Sequence, residues 1–245
     1  MPVTVERVGD DVAVVTFSAP PVNLYSIELH ADFDRALDEV EASLPRALLI
    51  RAEGKIVSGG VDVSQFHDQK TLEDTKVLYD RMIELPDRIA TLPIPTFFAA
   101  HALTLTWAFE VALACDIRIA TRDVVFGIRE TRVGVIADVG TLQRLPKLIP
   151  EGVAREYAYT GRRMSAQRAV EVGLVNQLFD THEDLVAGVL EIAAENSDVL
   201  IPFVSIDPHK GKLGVREARK LIEEYGVRGF KFHPTMQGFY ANDRM

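Results

Sequence analysis

One stretch constrains this chain more than any other. Residues 107–115, WAFEVALAC, are apolar nearly all the way round. A helix with no polar face belongs inside a core. It nevertheless carries an acid, Glu110, whose neighbours three and four positions away are Thr106, Trp107, Leu113 and Ala114. None is basic. A buried carboxylate is costly to ionise unless something solvates or pairs it. Two readings stay open on these grounds. Glu110 is either a general acid/base at the bottom of a cleft, or a structural carboxylate salt-bridged to a distant arginine.

The pattern around this helix is mixed. Residues 3–8 and 12–17 alternate as strands around Gly9-Asp10-Asp11, which predicts a hairpin. Ser26 can cap a helix whose apolar face is Leu29, Phe33, Leu37 and Val40. Residues 46–52 and 95–101 read as short apolar strands, and residues 72–90 as an amphipathic helix. The glycine-punctuated segment 54–63 reads as a loop. IRIA and VVFGI are further strands, and helices are expected over 140–148, 152–159, 165–172 and 182–195. This alternation gives an α/β class, with strand pairs separated by single helices rather than a strict βαβ repeat.

Length and charge bound the function. A chain of 245 residues buries a substantial core without staples. The net charge of −9 argues against nucleic-acid or anionic-membrane partners. No apolar run reaches the roughly 18 residues of a membrane span, and the N-terminus carries no secretory pattern. One cysteine, Cys115, excludes an internal disulfide, and a cytoplasmic location is the expectation. The segment from Asp198 onward differs from the rest, with eight Lys/Arg against six Asp/Glu. It reads as strand (202–207), helix (215–226) and strand (227–234).

Further candidates are weaker alone. Glu130 lies 20 residues after Glu110, flanked by Arg129 and Arg132, and by itself reads as a solvated charge. Asp138 follows 8 residues later and by itself reads as a helix cap. SGGVD (58–62) is a flexible turn, or a loop aiming N–H groups at a ligand oxygen. His101 reads as a satisfied structural histidine and Cys115 as core. No two histidines stand at metal-binding spacing, and no metal site is expected.

Taken together, residues 3–196 resemble the crotonase (enoyl-CoA hydratase/isomerase) superfamily. KIVSGGVDV resembles that family's A-F-x-A-G-x-D-L loop, and HALTLTWAFEVALACDIRIA its N-G-x-x-x-G-G-G-x-E-L-x-x-x-C-D segment. FGIRETRVG resembles F-x-x-P-E-x-x-x-G, and ADVGTLQRLPK resembles the dienoyl-CoA isomerase branch, where an acid stands at Asp138. The resemblance implies a crotonase-like ββα spiral over 1–196, with an atypical C-terminal strand–helix–strand segment over 197–245. It implies a double-bond isomerase acting on acyl-CoA, with enoyl-CoA hydration as the alternative; a catalytically degenerate assembly module is a third reading. Glu110, Glu130 and Asp138 fall on the catalytic positions, and the N–H groups of Val61 and Trp107 on the oxyanion positions. Val22, Leu24, Ser58, Gly60, Val61, Asp62, Val63, Thr106 and Trp107 fall on substrate contacts. No cofactor is implied beyond the coenzyme A of the substrate, and a homotrimer or hexamer is the family expectation. Thr106-Trp107-Ala108 replaces the family's three glycines, and Arg129 its proline. The segment after 197 resembles an internal piece of an amidohydrolase, with His233 on a ligand position.

Overall fold

A computed structural model describes residues 2–9, 11–67, 69–137 and 139–195, and in the tail 203–205, 215–216, 219–220 and 229–231. The chain opens with β1 (Val3–Val8) and β2 (Val12–Phe17), paired antiparallel as expected. Helix α1 (Ile27–Ala42) follows, its first turn capped by Ser26. Then come β3 (Ala47–Ala52), the short α2 (Ser64–His67) and α3 (Leu72–Thr91). Thr71 and Asp74 form a reciprocal capping box at the start of α3, satisfying two otherwise orphaned N–H donors. Next are β4 (Thr96–Ala100), β5 (Leu103–Leu105), the buried α4 (Trp107–Ala114), β6 (Ile117–Thr121) and β7 (Val125–Gly127). A 3₁₀ turn over Glu130–Val133 leads to α5 (Thr141–Leu148), α6 (Glu151–Thr160), β8 (Arg163–Ser165), α7 (Ala166–Glu171), β9 (Gln177–Phe179) and α8 (His182–Glu195).

Not every strand pair expected between helices stays together. The β1–β2 hairpin does, but β4, β6 and β9 join a six-stranded sheet of order β1-β2-β3-β4-β6-β9, while their chain neighbours β5, β7 and β8 form a second sheet. From β2 to β9 every pairing in the large sheet is parallel. Its strands are buried on both faces, which is why they read as continuous apolar runs. Ala13, Val15, Leu48, Ile50 and Phe98 face a core shared with α1, α3 and α4. Val14, Leu49, Phe97 and Ile119 face the opposite way, against Leu185 and Val189 of α8. In the tail, β10 (Phe203–Ser205) pairs in parallel with β11 (Gly229–Lys231), the strand–helix–strand order expected there. His233 lies outside the described residues.

Helix α4 runs between the sheets with all eight residues buried. Its C-terminal carbonyls are collected by Arg118 of β6, which donates to Cys115 O at 2.6 Å and Ala112 O at 3.4 Å, and through Nε to Leu174 O at 2.7 Å. A cation there answers the negative end of the helix dipole.

Near the end of β4, His101 is satisfied on one nitrogen only. Nε2 donates to Gly54 O at 3.0 Å, while Nδ1 meets no hydrogen-bond partner among the described residues. His182, the first residue of α8, stacks edge-on against it at 4.5 Å between ring centroids, its own Nδ1 equally unpartnered. Burial, the neighbouring His101 and Arg51 together hold the His182 imidazole down at about 4, below its ordinary value. The folded state therefore binds fewer protons than the unfolded chain between about pH 6.5 and pH 4. Stability is present above that window and is lost as the pH falls through it. We expect the thermal midpoint to drop between pH 7 and pH 4.5, and His182→Gln to flatten the drop. An equal slope in the variant would refute this account.

Candidate functional site

The site is built where the glycine loop crosses the start of the second sheet. Ser58 pairs with Thr104 of β5: Ser58 N donates to Leu103 O at 3.0 Å, and Leu105 N donates to Ser58 O at 3.2 Å. The Ser58 hydroxyl donates to Asn23 O at 2.7 Å and accepts from Gly60 N at 3.0 Å. Gly59 N donates to Val22 O at 2.8 Å. Val22 and Leu24, half-buried, lie close against Gly59. The expected substrate contacts on 22–24 and 58–61 are therefore one tied unit.

Asn23 clamps that unit. At φ +49° it accepts from Ala19 N and donates through Nδ2 to Glu53 O at 2.7 Å and Ile56 O at 3.1 Å. Asparagine tolerates this left-handed backbone better than most residues, and that was the signal available.

Val61 sits in an isolated bridge to Tyr25. Tyr25 N donates to Gly60 O and Asp62 N donates to Tyr25 O, which turns the Val61 N–H away from Tyr25. Trp107 is the first residue of α4, where helix geometry leaves the N–H without an internal acceptor. Neither N–H makes a hydrogen bond among the described residues. The residues just before these two donors touch, since a Cβ on Gly60 would come within 2.8 Å of Thr106 Oγ1. Thr106 holds φ +47° and ψ −119°, a strained backbone for a residue with a side chain. It stands where the family resemblance has glycine. The Trp107 ring turns into the core, 5.4 Å from Phe17, 5.8 Å from Tyr25 and 6.1 Å from Phe33 between centroids. At the outer side, Asp62 accepts from Ser64 N at 2.9 Å, and hydrogen bonding to Ser64 holds its carboxyl below the ordinary value. Val63 is 68% exposed, so it can contact only a ligand lying across the mouth.

Glu110 is 2% exposed, and the structure gives it neutral donors on the next connection. Its Oε1 accepts from Val139 N at 3.1 Å and from the Thr141 hydroxyl at 2.9 Å. Arg144 reaches Val139 O at 3.5 Å and pairs with Asp87 of α3, so the 139–141 turn is held from both sides. Asp138, immediately before this turn, lies outside the described residues. Gly140 occupies the N-cap position of α5. Glu130 opens the 3₁₀ turn at the other end of the same connection and is half-buried rather than solvated. Its arginine neighbours turn elsewhere: Arg129 donates to Gly161 O at 2.6 Å, and Arg132 packs against Gly161.

A small apolar cavity of about 10 Å³ adjoins these parts, lined by Tyr25, Met82, Leu85 and Pro86 on one side and Trp107, Val111 and Val139 on the other. Among the described residues no group of three His, Cys, Asp or Glu side chains could hold a metal ion. No helix among them is long and apolar enough to cross a membrane.

Val61 and Trp107 thus each offer an N–H with no acceptor among the described residues, and Glu110 lies buried on the helix that Trp107 opens. The sequence pattern of the enoyl-CoA hydratase/isomerase family matches residues 7–199, and the chain belongs to that family, within the crotonase superfamily. A Bacillus subtilis (strain 168) protein named "Probable enoyl-CoA hydratase" is 34% identical over 166 residues, covering 67% of this chain and 64% of that protein. The mitochondrial Delta(3,5)-Delta(2,4)-dienoyl-CoA isomerase of Dictyostelium discoideum is 31% identical over 191 residues, covering 71% and 64%. The chain thus spans 64% of the length of each of these relatives. The crystal structure of an enoyl-CoA hydratase from Thermoplasma volcanium GSS1 superposes with a TM-score of 0.74 at 28% identity, covering 79% of this chain and 78% of that one.

Three substitutions probe the site's construction. Gly60→Ala places a Cβ against Thr106 at φ +121°, whereas a Cβ on Gly59 meets Val22 and Leu24 at an ordinary 3.4 Å. We expect Gly60→Ala to cost about 1–3 kcal/mol in urea unfolding, and Gly59→Ala clearly less. Thr141→Val removes a donor to a buried carboxylate and is expected to cost about 1–3 kcal/mol. A neutral outcome for Thr141→Val would show that the bond to Glu110 contributes nothing.

Proposed function

We propose that this protein moves a double bond in an unsaturated acyl thioester of coenzyme A by carboxylate proton transfer. What supports the reading is that the Val61 and Trp107 N–H groups make no hydrogen bond among the described residues, that Gly60 and Thr106 just before them lie close together, and that a buried acid, Glu110, stands on the helix that Trp107 opens. The thioester oxygen accepts from both N–H groups. Each such donor lowers the barrier to an enolate by about 3 kcal/mol. The enolate in turn makes the proton next to the carbonyl removable. Glu130 and Asp138 divide the work, one taking the proton at C2 and the other returning one farther along the chain. Glu110 fixes the connection that carries Asp138. Neighbouring acids do not all ionise cheaply, so the set shares protons and one member is held as the acid.

Hydration of a 2-enoyl thioester is the second reading, with Glu110 and Glu130 acting around a water. Similarity to a protein named as a hydratase and to another named as a dienoyl isomerase supports both readings alike. Neither needs a cofactor beyond the coenzyme A of the substrate. We propose 1–196 as the acting domain, in a homotrimer or hexamer located in the cytoplasm.

Incubation with 3-enoyl-, 3,5-dienoyl- and 2-enoyl-CoA separates the readings. Isomerisation creates or shifts conjugation without change of mass, whereas hydration removes the enoyl absorbance and adds one water. We expect Asp138→Asn to lower isomerisation by at least about 100-fold, with Glu130→Gln similar. Unchanged rates in both variants would overturn the assignment.

A further inference from the structure

We infer that Asn23 is a positioning residue for the oxyanion donor of Val61, fixing the direction of that N–H through the loop it clamps. The inference rests on the function just proposed and adds to it a residue that touches no reacting atom.

The direction of a main-chain N–H is a property of one peptide plane. In a trans peptide the N–H points opposite to the C=O that precedes it. Gly60 O accepts from Tyr25 N at 2.9 Å, so the Val61 N–H faces away from the segment that carries Tyr25. Asp62 N donates to Tyr25 O at 3.0 Å and holds Val61 from its other side. Whatever moves Tyr25 therefore turns the donor.

Tyr25 is fixed by the contacts just before it. Gly59 N donates to Val22 O at 2.8 Å, and the Ser58 hydroxyl donates to Asn23 O at 2.7 Å. Main-chain bonds of this kind form with many sequences; side chains make the fit specific. The Asn23 carboxamide makes three bonds. Its Oδ1 accepts from Ala19 N at 2.6 Å, which closes its own turn. Its Nδ2 donates to Glu53 O at 2.7 Å and to Ile56 O at 3.1 Å, which ties that turn to the chain entering the glycine loop. Asn23 is 3% exposed and holds φ +49°. With Nδ2 committed inside the protein, its effect on a substrate runs through Val61.

The residue type follows from these bonds. A carboxamide donates and accepts from one planar group. An ionised carboxylate of the same shape only accepts, and would set an oxygen against two carbonyls. Glycine keeps the left-handed backbone and makes none of the side-chain bonds.

Infrared difference spectroscopy of the full chain with butyryl-CoA, labelled with carbon-13 at the thioester carbonyl, tests the inference. A carbonyl polarised by aimed donors absorbs at lower wavenumber, so the band reports their direction in the folded molecules. We expect the bound band of the unaltered chain to lie below that of the free thioester in water. Asn23→Asp and Asn23→Gly should each lose about half of that lowering or more. On whichever thioester the chain converts, kcat should fall at least about tenfold and KM change by less than about threefold. Either variant suffices if the other does not fold. Asn176→Ala is the control: Asn176 Oδ1 accepts from Arg118 N at 3.0 Å, at the N-terminal edge of the parallel strands β6 and β9. It should lower the thermal midpoint and leave the band and kcat unchanged. A folded Asn23 variant with the unaltered band overturns the inference and leaves the proposed function standing. So does an equal loss of the lowering in Asn176→Ala, which marks general loosening. Failure of the unaltered chain to bind the thioester, or a bound band no lower than in water, overturns the proposed function and this inference with it.

Discussion

The structure turns on a carboxylate placed where water does not reach. Glu110 sits on a helix with no polar face, and its charge or its proton must be accommodated by what the chain brings to it. What arrives is one turn of the β7–α5 connection, presenting the Val139 N–H and the Thr141 hydroxyl to a single oxygen. Removing the acid would orphan both donors, and removing the turn would take two hydrogen bonds from the acid. This mutual dependence fixes a connection that is otherwise exposed from Thr131 to Ile136. It ties the rim of the site to its most buried element.

The second constraint is backbone geometry at the crossing of two loops. Gly60 and Thr106 approach so closely that a side chain fits on one of them only. The chain places glycine on one strand and accepts a strained threonine on the other. Substituting Thr106 and Trp107 for glycines leaves the N–H positions available, because the Trp107 ring is absorbed by Phe17, Tyr25 and Phe33 rather than by the cleft mouth. The cost falls on free space: the ring forms one wall of the small cavity.

Much of this was legible in the residues. The hairpin, α1 with its Ser26 cap, the buried α4 and the bounds of α8 follow from periodicity and capping chemistry, which are local. The strands β5, β8 and β9 were missed because three residues carry no readable alternation. Their pairing is decided by partners far along the chain. The division of the later strand pairs between two sheets is likewise a long-range outcome. At the site, Glu110 was visible as an acid out of place, and the glycine pair as a turn. The donors to Glu110 were not visible, since a main-chain N–H leaves no mark in a sequence and Thr141 lies 31 residues away. His101 was read as satisfied, and the unpartnered Nδ1 beside His182 depends on a helix packing that no local pattern announces.

Cys115 closes α4 and is buried to 96%, the one thiol in the whole chain. Its own carbonyl is held by Arg118, so the sulfur becomes accessible only when the end of that helix lets go. The protein thus carries a built-in chemical reporter. The rate at which an alkylating reagent finds Cys115 in the native state measures how often the helix bearing Glu110 opens, apart from global unfolding.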